Sequence, residues 1–430
     1  MQPLPEKLPA LGTRRKDGRS KDMQAALELQ NREGICPPEM LDLQEGLPEC
    51  DRNQKKEQEL IKITEKNIRQ EHDYREFFDG VIETTLKSAL KIAASDPKLA
   101  VAGAKILYHQ KKAAKTRQRY EKEGITVPAV MMTALTSGCN LSCRGCYMRT
   151  LRREPAPDMT KEQLSDLIAQ AKDLGVSVVV FAGGEPLMRL PEIAGYAKKY
   201  PEMLFPVFTN GLLIDENIAD EIATCKNIVP MMSFEGPGEE TDRRRGPGTY
   251  EKLEAVCTRL SKRKVFFGCS VMVTSENIGA VTGDFFITGM IEKNVRTFVF
   301  VEYVPIEEGT KDLVLTEDQR SELREKIRVF CDRYPALFIG FPGEEDAYGG
   351  CLAAGRGFVH VSPSGKLEPC PAAPFSDADL TKIPLKEALG SELLEKIRRE
   401  HNLLVETNGG CALWANREWV EGLTEKGGPD

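Results

Sequence analysis

The sequence predicts an α/β protein built on a sheet of parallel strands. Three observations carry this: apolar runs rich in β-branched and aromatic residues recur between positions 129 and 304, helical patterns separate them, and turn-forming motifs fall where the runs end. Six strand-helix units in succession imply parallel strands joined by right-handed crossovers, closed or partly closed into a barrel. At 430 residues the chain suits a large α/β domain with additions at one or both ends.

Residues 1–53 are rich in proline, glycine and charge and lack an apolar period, so they are expected to be disordered or peripheral. Cys36 and Cys50 stand there without a partner pattern. From 54 to 125 the composition is helical, first charged and then more apolar through Leu86, Leu90, Ile92, Ala93 and Leu99. This helical extension ends on Tyr108-His-Gln-Lys-Lys-Ala-Ala-Lys-Thr-Arg-Gln-Arg-Tyr120. A basic helix of this kind suits a membrane surface, an acidic peptide or plain solvent.

From Val127 strand and helix alternate, and residues 126–340 form the expected core domain. Strands are expected at 129–135, 177–182, 204–208, 228–234, 265–274 and 296–304. The clearest helix starts at Thr160: Thr160 and Gln163 form a capping box, Leu164, Leu167, Ile168, Ala171 and Leu174 recur at helical spacing, and Gly175 closes the end. Thr316 with Gln319 opens a second helix whose apolar face is Leu323, Ile327, Phe330, Cys331 and Tyr334. Cys331 is expected in the core, as is Cys257, which is in register with Leu253 and Leu260.

In folds of this class the chemistry sits at the C-terminal ends of the strands. The first strand is followed by Ser137-Gly-Cys-Asn-Leu-Ser-Cys-Arg-Gly-Cys-Tyr-Met148, the second by Gly183-Gly184-Glu185-Pro186 and the third by Thr209-Asn210-Gly211. Ser233-Phe-Glu235-Gly236 follows the fourth, and Glu302-Tyr303-Val304-Pro305 ends the sixth. Cys139, Cys143 and Cys146 are spaced C-x3-C-x2-C. Three thiolates in one short loop hold three irons of a cubane [4Fe–4S] cluster and leave the fourth open to a substrate or cosubstrate. A structural zinc site is the alternative, but it normally closes with four ligands. The nearest downstream cysteine is Cys225, and the histidines are His72, His109, His360 and His401.

Composition narrows the setting. The apolar fraction is 41%, and a net charge of −7 gives no reason to expect a nucleic-acid partner. Twelve cysteines without a signal peptide argue for a reducing, cytoplasmic location, and no apolar stretch reaches the length of a bilayer.

The cysteine loop with its following aromatic Tyr147, together with the strand-end motifs in their order, resembles the radical S-adenosylmethionine (radical SAM) superfamily. The resemblance covers roughly 129–306 and implies a partial (β/α)6 TIM-like barrel. It further implies that the open iron takes the amino and carboxylate groups of S-adenosylmethionine, with Cys139, Cys143 and Cys146 as the catalytic cluster ligands. Gly183, Gly184, Glu185 and Pro186 would line the cosubstrate, the glycines through close backbone approach and Glu185 as an acceptor for the ammonium. Ser233 and Glu235 suit ribose hydroxyls, although Asp is common in relatives at the latter position. Arg245, last of Arg243-Arg244-Arg245, suits the methionine carboxylate, with a solvated basic turn as the alternative. Asn210 suits the cofactor or an Asx-turn, and Tyr147 and Tyr303 would flank the adenine. The implied reaction is reductive cleavage to methionine and a 5′-deoxyadenosyl radical, which abstracts a substrate hydrogen. A flavodoxin- or ferredoxin-type protein is the implied reductant.

Residues 341–430 carry a second group: Cys351, Cys370 and Cys411, with Phe358–Val361 and residues 366–368 flanking Ser-Pro-Ser-Gly as a β-hairpin. This spacing resembles the SPASM or shorter twitch auxiliary-cluster region, without the dense cysteine run of a full SPASM domain. It implies at most one auxiliary iron-sulfur cluster, with a fourth ligand unassigned. A zinc site with His360 and buried free thiols are the alternatives. Such relatives often modify peptides or proteins, so an unreactive carbon of a peptide is the implied target. The same chemistry on a small molecule or lipid, with the basic helix at a membrane, and a non-catalytic iron-sulfur or zinc protein are the competing readings.

Overall fold

The computed structural model describes residues 80, 82–83, 85–90, 92, 97–151, 156–342, 350–404 and 411–425. The expected peripheral segment 1–53, with Cys36 and Cys50, lies outside the described residues, as does most of 54–96. The described positions between 80 and 92 are helical, and helix α1 (Pro97–Lys122) follows.

Strands and helices then alternate: β1 (Val130–Ala134), α2 (Lys161–Leu174), β2 (Val178–Ala182), α3 (Leu190–Lys199), β3 (Phe205–Thr209), α4 (Glu216–Thr224) and β4 (Ile228–Phe234). Two helices follow β4, α5 (Glu239–Arg245) and α6 (Thr249–Lys262), and then come β5 (Gly268–Val273), α7 (Asp284–Glu292), β6 (Thr297–Glu302), α8 (Glu317–Arg333) and β7 (Leu337–Phe341). The chain closes with β8 (Phe358–Val361), β9 (Leu367–Glu368), α9 (Glu392–Arg399) and α10 (Arg417–Glu425). The sheet order is β7-β6-β5-β4-β3-β2-β1-β8-β9. All neighbours are parallel except β8 and β9. This is the α/β partial barrel that the alternation predicts.

Each of the six expected strands is present, with ends shifted by up to three residues. The seventh, β7, extends the run beyond them and pairs in register with β6 from Thr297↔Leu337 to Val301↔Phe341. The expected hairpin is also present. Its first strand, β8, joins the sheet at the free edge of β1, with Met132 opposite His360.

Alternation along each strand divides its side chains between two faces. The helix-covered face carries Phe181, Phe205, Phe234, Phe298 and Phe300, all fully buried. Phe181 stacks on Phe205 at 5.6 Å and Phe298 on Phe338 at 4.7 Å. Burying a side chain of this size contributes roughly 1.5–3 kcal/mol. The inner face carries smaller or softer residues: Ala134, Val180, Ala182, Val229 and Met231 are buried, and Met132, Phe208, Ser233, Ser270 and Met272 are half-buried.

Both predicted capping boxes are formed, Thr160 with Gln163 on α2 and Thr316 with Gln319 on α8. Gly175 ends α2 in the left-handed conformation, and its carbonyl accepts Arg117 Nη1 from α1 at 2.5 Å. The helical extension is thereby fastened to the barrel. Cys257 is fully buried as expected. Cys331 is not: it is exposed, with its Sγ directed to the Phe338 carbonyl at 3.8 Å. Helix α8 lies over the edge strand β7, so only the stripe through Arg320, Leu323 and Phe330 is covered, and Cys331 falls on its margin.

Candidate active site

The cysteine loop rises from the end of β1 and is held from several sides. Asp158 accepts Thr136 Oγ1 at 2.6 Å and the Ser137 N–H at 3.1 Å. Arg189, from the turn before α3, donates to the carbonyls of Leu135 and Met159, both at 2.9 Å. From β2, the Gly184 N–H donates to the Thr136 carbonyl and the Glu185 N–H to the Gly138 carbonyl, both at 2.8 Å.

The two glycines are required by that approach. Gly183 has φ +118°, which favours glycine, and a Cβ there would sit 2.7 Å from the Thr136 carbonyl oxygen. A Cβ at Gly184 would sit 1.9 Å from the Gly138 carbonyl oxygen. The diglycine lets the β2 loop lie directly on the cysteine loop.

Glu185 joins the next loop. Its Oε1 accepts Thr209 Oγ1 at 2.7 Å and the Leu187 N–H at 3.0 Å, and its Oε2 accepts the Asn210 N–H at 2.8 Å. Burial pushes this carboxyl above the ordinary carboxylate range against the opposing effect of those bonds. Pro186 is buried and opens the turn that Glu185 caps. Asn210 makes an Asx-type bond from the Leu212 N–H to its Oδ1 at 3.0 Å, while its Nδ2 donates to Asn140 Oδ1 at 2.7 Å and lies 3.9 Å from Cys139 Sγ. A chain of contacts therefore runs from β2 through β3 back to the first cysteine.

Cys139 is exposed, and Cys143 and Cys146 are half-buried. Desolvation raises the Cys139 thiol pKa, and Glu185 and the other two cysteines add to it. The Leu141 N–H points at Cys139 Sγ from 3.5 Å, a donor suited to a thiolate. Among the described residues no three Cys, His, Asp or Glu side chains stand as a preformed cation cage.

On the β4 side Glu235 is buried, and its Oε1 takes three donors: Arg244 Nη1 at 2.6 Å, Arg245 Nε at 2.9 Å and Arg245 Nη2 at 2.6 Å. Its backbone is fixed by Thr241 Oγ1 at 3.0 Å and by Asn277 Nδ2 at 3.0 Å. Ser233 sits on the inner face opposite Ser270. Tyr147 begins a helical turn directly after Cys146. Tyr303 is buried, donates to Thr310 Oγ1 at 2.8 Å, and lies beside the cysteine loop, where a methyl at Gly145 would be 3.7 Å from its hydroxyl. The residues expected at the site from sequence thus share one end of the barrel.

Thr136, Asn140, Asp158, Arg189, Thr241, Arg244 and Asn277 join them there. The sequence signal for these is their position in the segments that follow strand ends, where Thr241 and Arg244 lie on α5 and Arg244 belongs to the arginine run.

The C-terminal cysteines follow β7 in the chain. Cys351 and Cys370 are buried, and Cys411 is half-buried against the core. The two loops that carry the first pair meet through the Ala354 N–H and the Pro369 carbonyl at 3.1 Å. His360 is buried, and its Nδ1 is 2.7 Å from Glu368 Oε2.

Comparison with known proteins agrees with this geometry. Residues 133–281 match the family described as the Radical SAM superfamily. The chain is 26% identical over 315 residues to the AdoMet-dependent heme synthase of Methanosarcina barkeri, spanning 66% of this chain and 88% of that protein. It is 24% identical over 268 residues to the PqqA peptide cyclase of Rhizobium meliloti, spanning 58% of this chain and 69% of that protein. In fold it is similar to Streptococcus suis SuiB bound to S-adenosylmethionine, with a TM-score of 0.55 at 18% identity over 68% of this chain and 73% of the other. Residues 133–281 thus carry a radical SAM domain, and a [4Fe–4S] cluster and S-adenosylmethionine are the cofactors that this family implies. Among the described residues no helix is long and apolar enough to cross a membrane.

Proposed function

We propose that Cys139, Cys143 and Cys146 hold a [4Fe–4S] cluster at which S-adenosylmethionine is cleaved, and that the radical removes hydrogen from an unreactive carbon of a peptide or protein. The observation that carries this reading is the convergence of the β2, β3, β4 and β6 loops on the cysteine loop. The donor set fits the cluster: three thiols lie within eight residues, with an N–H on one sulfur and two guanidiniums nearby. When bound, the cluster supplies the electron that breaks the C5′–S bond.

The chain's own residues bind and enclose. Gly183 and Gly184 keep the loop floor free of side chains, and Glu185 fixes Asn210 beside it. All three contacts to Glu235 fall on Oε1, which leaves Oε2 for a ribose hydroxyl, with Ser233 on the same strand end. Arg245 shares that oxygen with Arg244, so its fork can turn to the methionine carboxylate while Glu235 stays paired. Tyr147 and Tyr303 flank the adenine position.

The relative named a peptide cyclase supports a peptide substrate. A small molecule is the second reading. It is favoured by the heme synthase relative, 88% of whose length is matched, and by an inner wall of Met132, Phe208 and Met272 that suits an apolar ligand. Cys351 and Cys370, with Cys411, are assigned to an auxiliary iron-sulfur cluster. A flavodoxin- or ferredoxin-type reductant and a cytoplasmic location complete the proposal.

The test is anaerobic reconstitution with iron and sulfide, addition of dithionite and S-adenosylmethionine, and quantification of 5′-deoxyadenosine. Product from the intact protein and none from Cys143→Ala is the expected result. Iron uptake without 5′-deoxyadenosine, with candidate peptides present, would shift the assignment to a cluster carrier.

A further inference from the structure

Arg244 is the side chain that fastens the β4 loop to the cysteine loop. Its Nη1 donates to Glu235 Oε1 at 2.6 Å, its Nε to the Arg144 carbonyl at 3.1 Å and its Nη2 to the Gly145 carbonyl at 3.4 Å. The backbone returns the contact, because the Arg144 N–H donates to the Arg244 carbonyl at 3.2 Å. All three peptide units between Cys143 and Cys146 are therefore tied to one residue about a hundred positions away. The Arg244 side chain is 19% exposed and that of Glu235 4%, so solvent screens the contact weakly.

Charge points the same way. Arg244 and Arg245 both face Glu235, and the Glu307 carboxylate also lies beside the loop, 3.6 Å from a Cβ built at Gly145, so Arg244 is the cation that bonds the loop's own peptides among these acidic groups. A cluster gains a negative charge on reduction, and a cation in a poorly screened site stabilises the reduced form more than the oxidised one. We propose that Arg244 is a positioning residue of the cluster loop, one that fixes the 144–145 peptides between two cysteine ligands and makes the cluster easier to reduce. This rests on reading the loop as the cluster site. Arg245 lacks the bonds to the loop, and Arg243 is exposed.

The experiment compares wild type, Arg244→Gln, Arg244→Lys and Arg243→Gln. Hydrogen exchange at residues 144–146 is measured on the metal-free full-length chain. Midpoint potential, by redox titration followed by electron paramagnetic resonance, and the rate of iron loss to a chelator are measured after reconstitution. Arg244→Gln is expected to speed exchange at 144–146 by tenfold or more, to shift the potential to a more negative value and to speed iron loss severalfold. Arg244→Lys keeps the charge without the fork, so it should hold the potential near wild type while still losing iron faster. Arg243→Gln should match wild type throughout. A wild-type protein that takes up no cluster would overturn the underlying reading. A wild-type protein that loads, beside an Arg244→Gln with unchanged potential and exchange, would overturn the role of Arg244 alone.

Discussion

A methyl group at position 184 would meet the Gly138 carbonyl oxygen at 1.9 Å and that of Ser137 at 3.0 Å, and backbone cannot swing aside as a flexible side chain can. Gly184→Ala must therefore lift the cysteine loop off β2. The expected cost is about 1–3 kcal/mol, as for other overpacked sites. Gly195→Ala, in α3, has nothing within 4 Å of the added carbon and serves as the control. Chemical denaturation of the metal-free proteins and iron content after reconstitution check this, and equal behaviour of the two variants would sink it. At this scale the sequence was partly legible. The diglycine pattern announces a close backbone approach, and its nearest neighbours in the structure are carbonyls of the cysteine loop. No local pattern pairs Gly138 with Gly184, because their contact depends on how β1 and β2 register. The arginine run shows the same limit: three identical side chains in succession become one exposed, one tied to the cysteine loop and one paired with Glu235 alone.

Elements with their own start and stop signals were the most legible. Helices α2 and α8 each carry a capping box because Thr and Gln three residues apart satisfy two backbone donors locally, whatever the tertiary context. Thr160→Ala should cost about 1 kcal/mol in chemical denaturation. The β8-β9 hairpin was equally plain, but the contact that pins it was not. Asp379 receives Lys366 Nζ at 3.2 Å, Lys382 Nζ at 3.3 Å, Thr381 Oγ1 at 2.6 Å and the Thr381 N–H at 3.0 Å. Burial alone would raise its pKa, but these donors outweigh it and bring the carboxyl down to about 2. A carboxyl whose pKa is lower in the folded state adds stability above its unfolded value near 4, and loses that contribution as pH falls through about 2. Wild type should therefore exceed Asp379→Asn by about 1–2 kcal/mol at pH 7, allowing for solvent screening, with the gap closing between pH 4 and 2. Urea denaturation across that range is the check, and a gap independent of pH would refute the ionic contribution.

At the scale of the whole molecule, alternation of strand and helix shows that consecutive strands lie side by side, and the sheet order from β1 to β7 agrees. It does not show which edge a later hairpin joins. Strand β8 pairs with β1 from Val130↔Phe358 to Thr133↔Val361, more than two hundred residues apart in sequence. Phe358 also touches Phe341 of β7, at the far end of the strand order, with ring centroids 5.7 Å apart. The region after 341 thus covers the edge of the strand that leads into the cysteine loop. A chain ended at Phe341 would leave the β1 backbone donors and acceptors open and would remove Val359 and Val361, which now lie beside the fully buried Met131 and Thr133 of β1. Exposed edges of this kind pair with other chains. The truncated protein is expected to be aggregated or insoluble under conditions in which the full chain is soluble, as size-exclusion chromatography would report. A soluble monomer with the full chain's circular dichroism per residue would instead make the hairpin region a separable domain, and the support it gives to β1 dispensable.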